Sequence, residues 1–96
     1  MDEQGEQRYW RQVVPADTTD EIARIAHARA LIQSGRLQQL REKGGLSLAD
    51  IGRACGVNAS TVHRWLRHQA LPRGVAALAL YDLAATLNEA LQEFLP

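Results

Sequence analysis

A single cysteine, Cys55, stands in the 96 residues, so no disulfide can staple the chain internally. Long apolar runs are missing too. The richest stretch, residues 75–87, carries Asp82 and falls short of the roughly 18 to 20 residues a membrane span needs. Nothing at the start reads as a basic region leading into an apolar core and a small-residue cleavage site, so the protein is expected to stay in the cytoplasm of a bacterial cell, away from membranes. No glycine-rich phosphate loop follows a strand, and no serine, cysteine or carboxylate pair is placed for catalysis; neither an enzyme nor a small-molecule substrate is expected. No cofactor or metal is expected either. His63 and His68 lie five positions apart and miss the four-residue spacing of two zinc ligands on one helix face, and Cys55 has no partner ligand in sequence. Cys55 reads as apolar core, and His27 as a surface or half-buried residue. At 46% hydrophobic, the chain has enough apolar content for one modest helical core and a single domain.

Net charge is also lacking, since 11 basic residues meet 11 acidic ones. The distribution is uneven. Residues 41–73 hold Arg41, Lys43, Arg53, Arg64, Arg67 and Arg73 against Glu42 and Asp50, a surplus of +4 in one segment, with His63 and His68 besides. The flanks are acidic, and the basic segment is the one suited to a phosphate backbone.

Residues 1–17 show no sustained period and are expected to form a mobile arm, whose Tyr9 and Trp10 either pack on the domain or stack on a base or partner. The remaining residues, 18–96, read as one helical domain. Thr18 with Glu21 offers a capping box for a helix whose stripe runs through Ile22, Ile25, Ala26 and Arg29 with Ala30, Leu31 and Ile32, with a break at Ser34 and Gly35. Leu37 and Leu40 continue the pattern until Gly44 and Gly45 stop it. Ser47 suits the N-cap of a short helix over Leu48–Cys55, and either Asn58 or Ser60 caps the next, whose apolar face is Val62, Trp65 and Leu66. Pro72 and Gly74 close that unit, and residues 75–95 read as a last helix. The fold expected is all-α, a compact bundle of about five helices.

The informative stretch is Leu46 through Trp65, two helices and a tight turn at about residues 47–67. Gly52 supplies a small residue where the two backbones approach, and Gly56 the positive φ of the turn. Ile51, Cys55, Val57, Val62 and Trp65 fall where both helices converge. Asn58, Ala59, Ser60, His63, Arg64 and Arg67 are left on the outer face of the second helix, at about residues 59–67.

From about residue 36 to 87 the sequence resembles the XRE-type helix-turn-helix regulators, the family of lambda-like phage repressors and Cro proteins. Residues 37–48, LQQLREKGGLSL, are similar to that family's first helix and its Leu-Ser lead into the second; Gly56-Val57 is similar to its turn, and residues 60–65, STVHRW, to its recognition helix. The pattern departs at Leu48, where many members carry Gln, at Leu66, where Glu often follows the Trp, and at Ala59, where relatives often carry a longer side chain. The resemblance implies a lambda-repressor-like domain and sequence-specific binding of double-stranded DNA by a small transcriptional regulator, a repressor or Cro-like protein. The major groove admits one helix, which makes Asn58, Ala59, Ser60, His63 and Arg64 the base-reading candidates, with Ala59 suited to a thymine methyl. Lys43, Ser47, Arg53, Thr61, Arg67 and Arg73 are the candidates for phosphates, Ser47 through the backbone N–H groups that begin its helix. An antitoxin that represses its own operon has the same layout, and a protein-interaction module that does not bind DNA is the rival from another class.

In the last helix, Ala77, Leu80, Ala84, Leu87, Leu91 and Phe94 recur at three- and four-residue spacing, a heptad-like seam. Such a seam either pairs two chains into a homodimer through Leu80, Leu87, Leu91 and Phe94, or folds back on its own core after a bend at Thr86 to Asn88.

Overall fold

The structure, a computed structural model, describes residues 16–94 and the side chains of residues 18–92. Helices α1 (Ala16–Gln33), α2 (Arg36–Gly44), α3 (Leu48–Cys55), α4 (Ala59–Leu66) and α5 (Gly74–Phe94) occupy it, and no strand is found among the described residues. The expected all-helical bundle is therefore the observed one. Of the expected arm, residues 1–17 with Tyr9 and Trp10, positions 1–15 lie outside the described residues, and Ala16 and Asp17 belong to α1 instead. No helix among the described residues is long and apolar enough to cross a membrane.

Helix α1 differs from expectation in two ways. It is already helical at Ala16, so Thr18 lies inside it and does not cap it. Pro15 precedes Ala16 in sequence, and proline is favoured at a helix start, a signal that competes with the Thr18 box. Its buried stripe is also narrower than the apolar residues suggest. Ala28, Leu31 and Ile32 are buried and Ile25 half-buried, whereas Ala26 and Ala30 are exposed and Ile22 is 59% exposed. One face of a helix lying on its neighbours can bury only positions spaced by three and four, and 25, 28 and 32 are such a set.

Helix α2 ends where expected. Gly45 adopts φ 65, and the N–H groups of Gly45 and Leu46 donate back to the carbonyls of Glu42 (3.3 Å) and Arg41 (3.0 Å), satisfying groups the helix end would leave orphaned. Leu37 and Leu40 face inward. The Ser34-Gly35 break is also present, a two-residue turn between α1 and α2.

Helix α5 is the hub, in contact with α1, α2 and α3, while α4 packs mainly on α3. The main core gathers Ala28 and Ile32 from α1, Leu37 from α2, Ile51 and Cys55 from α3, Val62 and Trp65 from α4, and Ala77 and Leu80 from α5. A second, smaller cluster joins Leu31, Leu40 and Ala84, with Leu87 and Leu91 packed against it. This corrects the seam read from the sequence. Leu80 is fully buried inside its own chain and is not free to pair with a second one, and Leu87 and Leu91 are half-covered by α1 and α2 contacts. The side chain of Phe94 lies outside the described residues. The bend at Thr86 to Asn88 is absent as well, because α5 runs unbroken; α1 covers the second apolar face.

The crossing of α3 and α4 rests on Gly52. A Cβ built there would lie 2.5 Å from the Val57 carbonyl oxygen and 3.2 Å from the Asn58 carbonyl carbon, so the turn backbone occupies the space a side chain would need. Gly56 provides the reversal, with φ 74 and Val57 N–H donating to the Gly52 carbonyl at 2.9 Å. Gly52→Ala is accordingly expected to destabilise the domain by about 1–3 kcal/mol, since the obstacle is backbone that cannot swing aside. A urea unfolding midpoint equal to that of the unsubstituted chain would contradict this packing.

Candidate nucleic-acid interface

The two ends of α3 and α4 are built from short polar side chains. At α3, the Ser47 hydroxyl accepts from the Asp50 N–H at 3.0 Å while the Asp50 carboxylate accepts from the Ser47 N–H at 2.9 Å, a complete capping box. Arg53, one turn on, pairs with the same carboxylate. The Ser47 backbone N–H, the Ser47 hydroxyl and, more weakly, the Arg53 charge all favour ionised Asp50. The Ser47 hydrogen bonds come first among them, and together they hold its carboxyl below the ordinary 3.8 against a small desolvation. This alters one expectation. Ser47 was a candidate to offer its helix start to a phosphate, yet its N–H and hydroxyl are both engaged by Asp50, whose negative charge already occupies that end.

At α4 the open choice of cap resolves to Asn58. Its Oδ1 accepts from the Thr61 N–H at 2.9 Å, from the Thr61 hydroxyl at 2.9 Å and from the Ser60 hydroxyl at 2.7 Å. An Asn that reads adenine needs its oxygen to accept from the base and its amide nitrogen to donate. With three donors already on that oxygen, Asn58 acts as the cap, and its amide nitrogen is the group left for a base edge. Thr61 carries the network one step further, its hydroxyl oxygen accepting from the Arg64 guanidinium at 3.2 Å. Asn58, Ser60, Thr61 and Arg64 are thus one connected set on one side of the helix. Thr61 was expected as a phosphate contact; its place in the structure is between the cap and Arg64.

Burial divides α4 cleanly. Val62 is 0% and Trp65 2% exposed, whereas Ser60, His63, Arg64 and Arg67 are exposed and Ala59 is half-buried. Val62 and Trp65 sit three apart and anchor the helix to the core, so the residues between and around them turn outward. Among the described residues no other helix covers that outer face, since only α3 makes a substantial packing contact with α4. The C-terminal end is closed by His68, in the left-handed region at φ 60, with His68 N–H donating to Trp65 at 3.0 Å and Gln69 N–H to Arg64 at 2.9 Å.

Of the remaining candidates, Arg53 is exposed on α3, Lys43 on the last turn of α2, and Arg73 on the segment before α5. Among the described residues no hydrogen bond joins Lys43 or Arg73 to the Asn58 network. Cys55 is buried at 4% exposure, as its residue type suggested, and burial pushes its thiol up from the ordinary 9.0 and keeps it protonated. His27 is exposed, and it meets Tyr81 edge-on with ring centroids 5.2 Å apart, a contact the sequence did not reveal. No group of three or more His, Cys, Asp or Glu is placed to hold a metal among the described residues.

Two short helices crossing over a glycine, the second capped, anchored on one face and cationic on the other, define a helix-turn-helix unit. Residues 34–94 match the family model described as a helix-turn-helix domain, well over half of the chain. The chain belongs to this family of XRE-like helix-turn-helix domains. No curated protein and no solved structure matches it. Helix α1 lies before the matched span.

Two outcomes follow from the caps. Asn58→Ala is expected to lower stability by about 1 kcal/mol, with Asn58→Ser retaining most of it, and thermal unfolding of the three proteins checks this; an alanine variant as stable as the parent would contradict the capping role. Because the folded-state pKa of Asp50 is lowered, the stability it contributes is present above its ordinary value of 3.8 and is lost as pH falls through the folded-state value beneath it. Asp50→Asn should therefore flatten the loss of stability on acidification below about pH 4, and an acid-unfolding profile of unchanged steepness would count against the box.

Proposed function

We propose that this protein binds double-stranded DNA sequence-specifically as a small transcriptional regulator of the repressor or Cro-like kind, with α4 as its recognition helix in the major groove. The observation that carries the reading is the outward placement of His63 and Arg64 on a helix whose opposite face, Val62 and Trp65, is locked in the core. Direct readout needs side chains that reach base edges from a rigid support, and the major groove is wide enough for one helix. Arg64 offers a fork of donors to the two acceptors of a guanine, and its tether to Thr61 limits the orientations it must give up on binding. His63 hydrogen-bonds a neighbouring base edge, Ser60 accepts from one, and the Ala59 methyl suits the thymine methyl.

Arg67, Arg53 and Lys43 supply charge without sequence preference, through phosphates on either side of the groove. The chain as a whole is neutral, so attraction to DNA depends on the +4 surplus of residues 41–73 being local to this face. The homodimer read from the last helix does not enter the proposal, because Leu80 is interior and Leu87 and Leu91 already pack within the chain.

Selection of a preferred duplex from a random pool, followed by competition binding, tests the reading. Arg64→Ala should cost about 1–3 kcal/mol on the selected duplex and relax the preference at one base pair, whereas Arg67→Ala should weaken selected and scrambled duplexes by the same factor. An unchanged ratio of selected to scrambled affinity in Arg64→Ala would remove Arg64 from base reading. Failure of the unsubstituted protein to show any salt-dependent affinity for DNA would overturn the proposal altogether.

A further inference from the structure

Just beyond the C-terminal end of α4 the surface holds a depression of about 310 Å³ whose lining includes Arg29, His68, Gln69 and Arg73 around Ala70 and Leu71. Arg29 comes from α1, the other residues from the segment between α4 and α5. The lining contains no acid, and among the described residues neither arginine forms an ion pair. Two guanidinium groups brought to one hollow without a carboxylate repel each other, and an anion seated between them reverses the sign of that interaction. The donors present are guanidinium, imidazole and amide N–H groups, the set that recognises phosphate oxygens.

The backbone at the rim adds a second observation. His68 holds φ 60 at the position closing α4, where glycine would sit without strain. Non-glycine residues are uncommon in the left-handed region, and histidine is among those that enter it more readily. Here the left-handed turn puts an imidazole at the hollow instead of the bare backbone a glycine would leave.

Location identifies the source of the phosphate. An α4 of eight residues is about 12 Å long, close to the width of the major groove, so with α4 laid across that groove the segment after it would come against the phosphates at its border. We infer that Arg29, His68, Gln69 and Arg73 form a binding site for a DNA backbone phosphate next to the recognition helix, and that α1, outside the family-matched span, thereby takes part in DNA binding through Arg29. The inference rests on the DNA-binding reading and extends its footprint to a helix that the reading did not use.

The test compares the full chain with Arg29→Gln and Arg29→Lys on a selected and a scrambled duplex over a series of salt concentrations. Arg29 is exposed and packs in neither core cluster, so both variants should fold as the parent does. Arg29→Gln should bind both duplexes more weakly by the same factor, with a slope of log affinity against log salt less steep by about 0.9, and Arg29→Lys should restore most of that slope. Arg64→Ala in the same assay reports on the parent reading: if it loses preference for the selected duplex while Arg29→Gln keeps the full salt slope, the phosphate site is overturned and base reading stands. If the unsubstituted chain shows no salt-dependent binding, both are overturned. Inorganic phosphate titrated alone against the free protein separates the two sources of anion. Amide shifts at His68 and Gln69 together with a full salt slope in Arg29→Gln would mean a free-anion site, contradicting the assignment to DNA.

Discussion

The fold turns on a missing atom. With no Cβ on Gly52, the backbone from Val57 to Ala59 can lie directly against α3, and that approach fixes how α4 leaves the turn. Ile51, Cys55, Val62 and Trp65 then close over the crossing from one side. Their burial determines what is left outside: the same rotation of α4 that puts Val62 and Trp65 in the core directs His63, Arg64 and Arg67 into solvent. Any residue at 52 larger than glycine forces the turn outward and tilts the cationic face with it.

The caps make the exposed face well defined as well as open. An eight-residue helix is too short to be stable by itself and depends on its ends and on tertiary packing. Asn58 holds one end through three donors, His68 and Gln69 close the other, and the Thr61 hydroxyl passes the order of the cap to Arg64. A side chain already restrained loses less entropy when a partner engages it. The fully apolar underside and the polar network on the outer side are therefore parts of one device, a short helix presented as a rigid support.

Much of this was legible in the residues. Gly44-Gly45 at the end of α2, Ser47 before α3 and the spacing of Ile51, Cys55, Val62 and Trp65 each have a local physical meaning, and the structure realises each of them. What was not legible depended on contacts between distant segments. The last helix showed two apolar faces, and nothing local says whether the second meets another chain or α1; Leu80, at 0% exposure, answers that it meets its own. The Ser47 cap was readable, yet the engagement of its N–H by Asp50 needed the side-chain geometry. Asn58 suited both a cap and a base edge, and the three donors converging on its oxygen needed the side-chain geometry to be seen. Arg29 was legible only as a position of the α1 stripe; that it lines one hollow with His68 and Arg73 could not be read, because they lie some forty residues away along the chain.

The central claim is that α4 meets bases from the major-groove side through Arg64. Guanine N7 opens only on that groove, which makes methylation interference the most direct measurement: a selected duplex, methylated sparsely at guanine N7, is partitioned into bound and free fractions by the unsubstituted chain. Methylation of at least one guanine should exclude the duplex from the bound fraction, and Arg64→Ala should lose sensitivity at that guanine. Binding indifferent to N7 methylation throughout the site, or sensitive only to changes in the minor groove, would contradict the placement of α4.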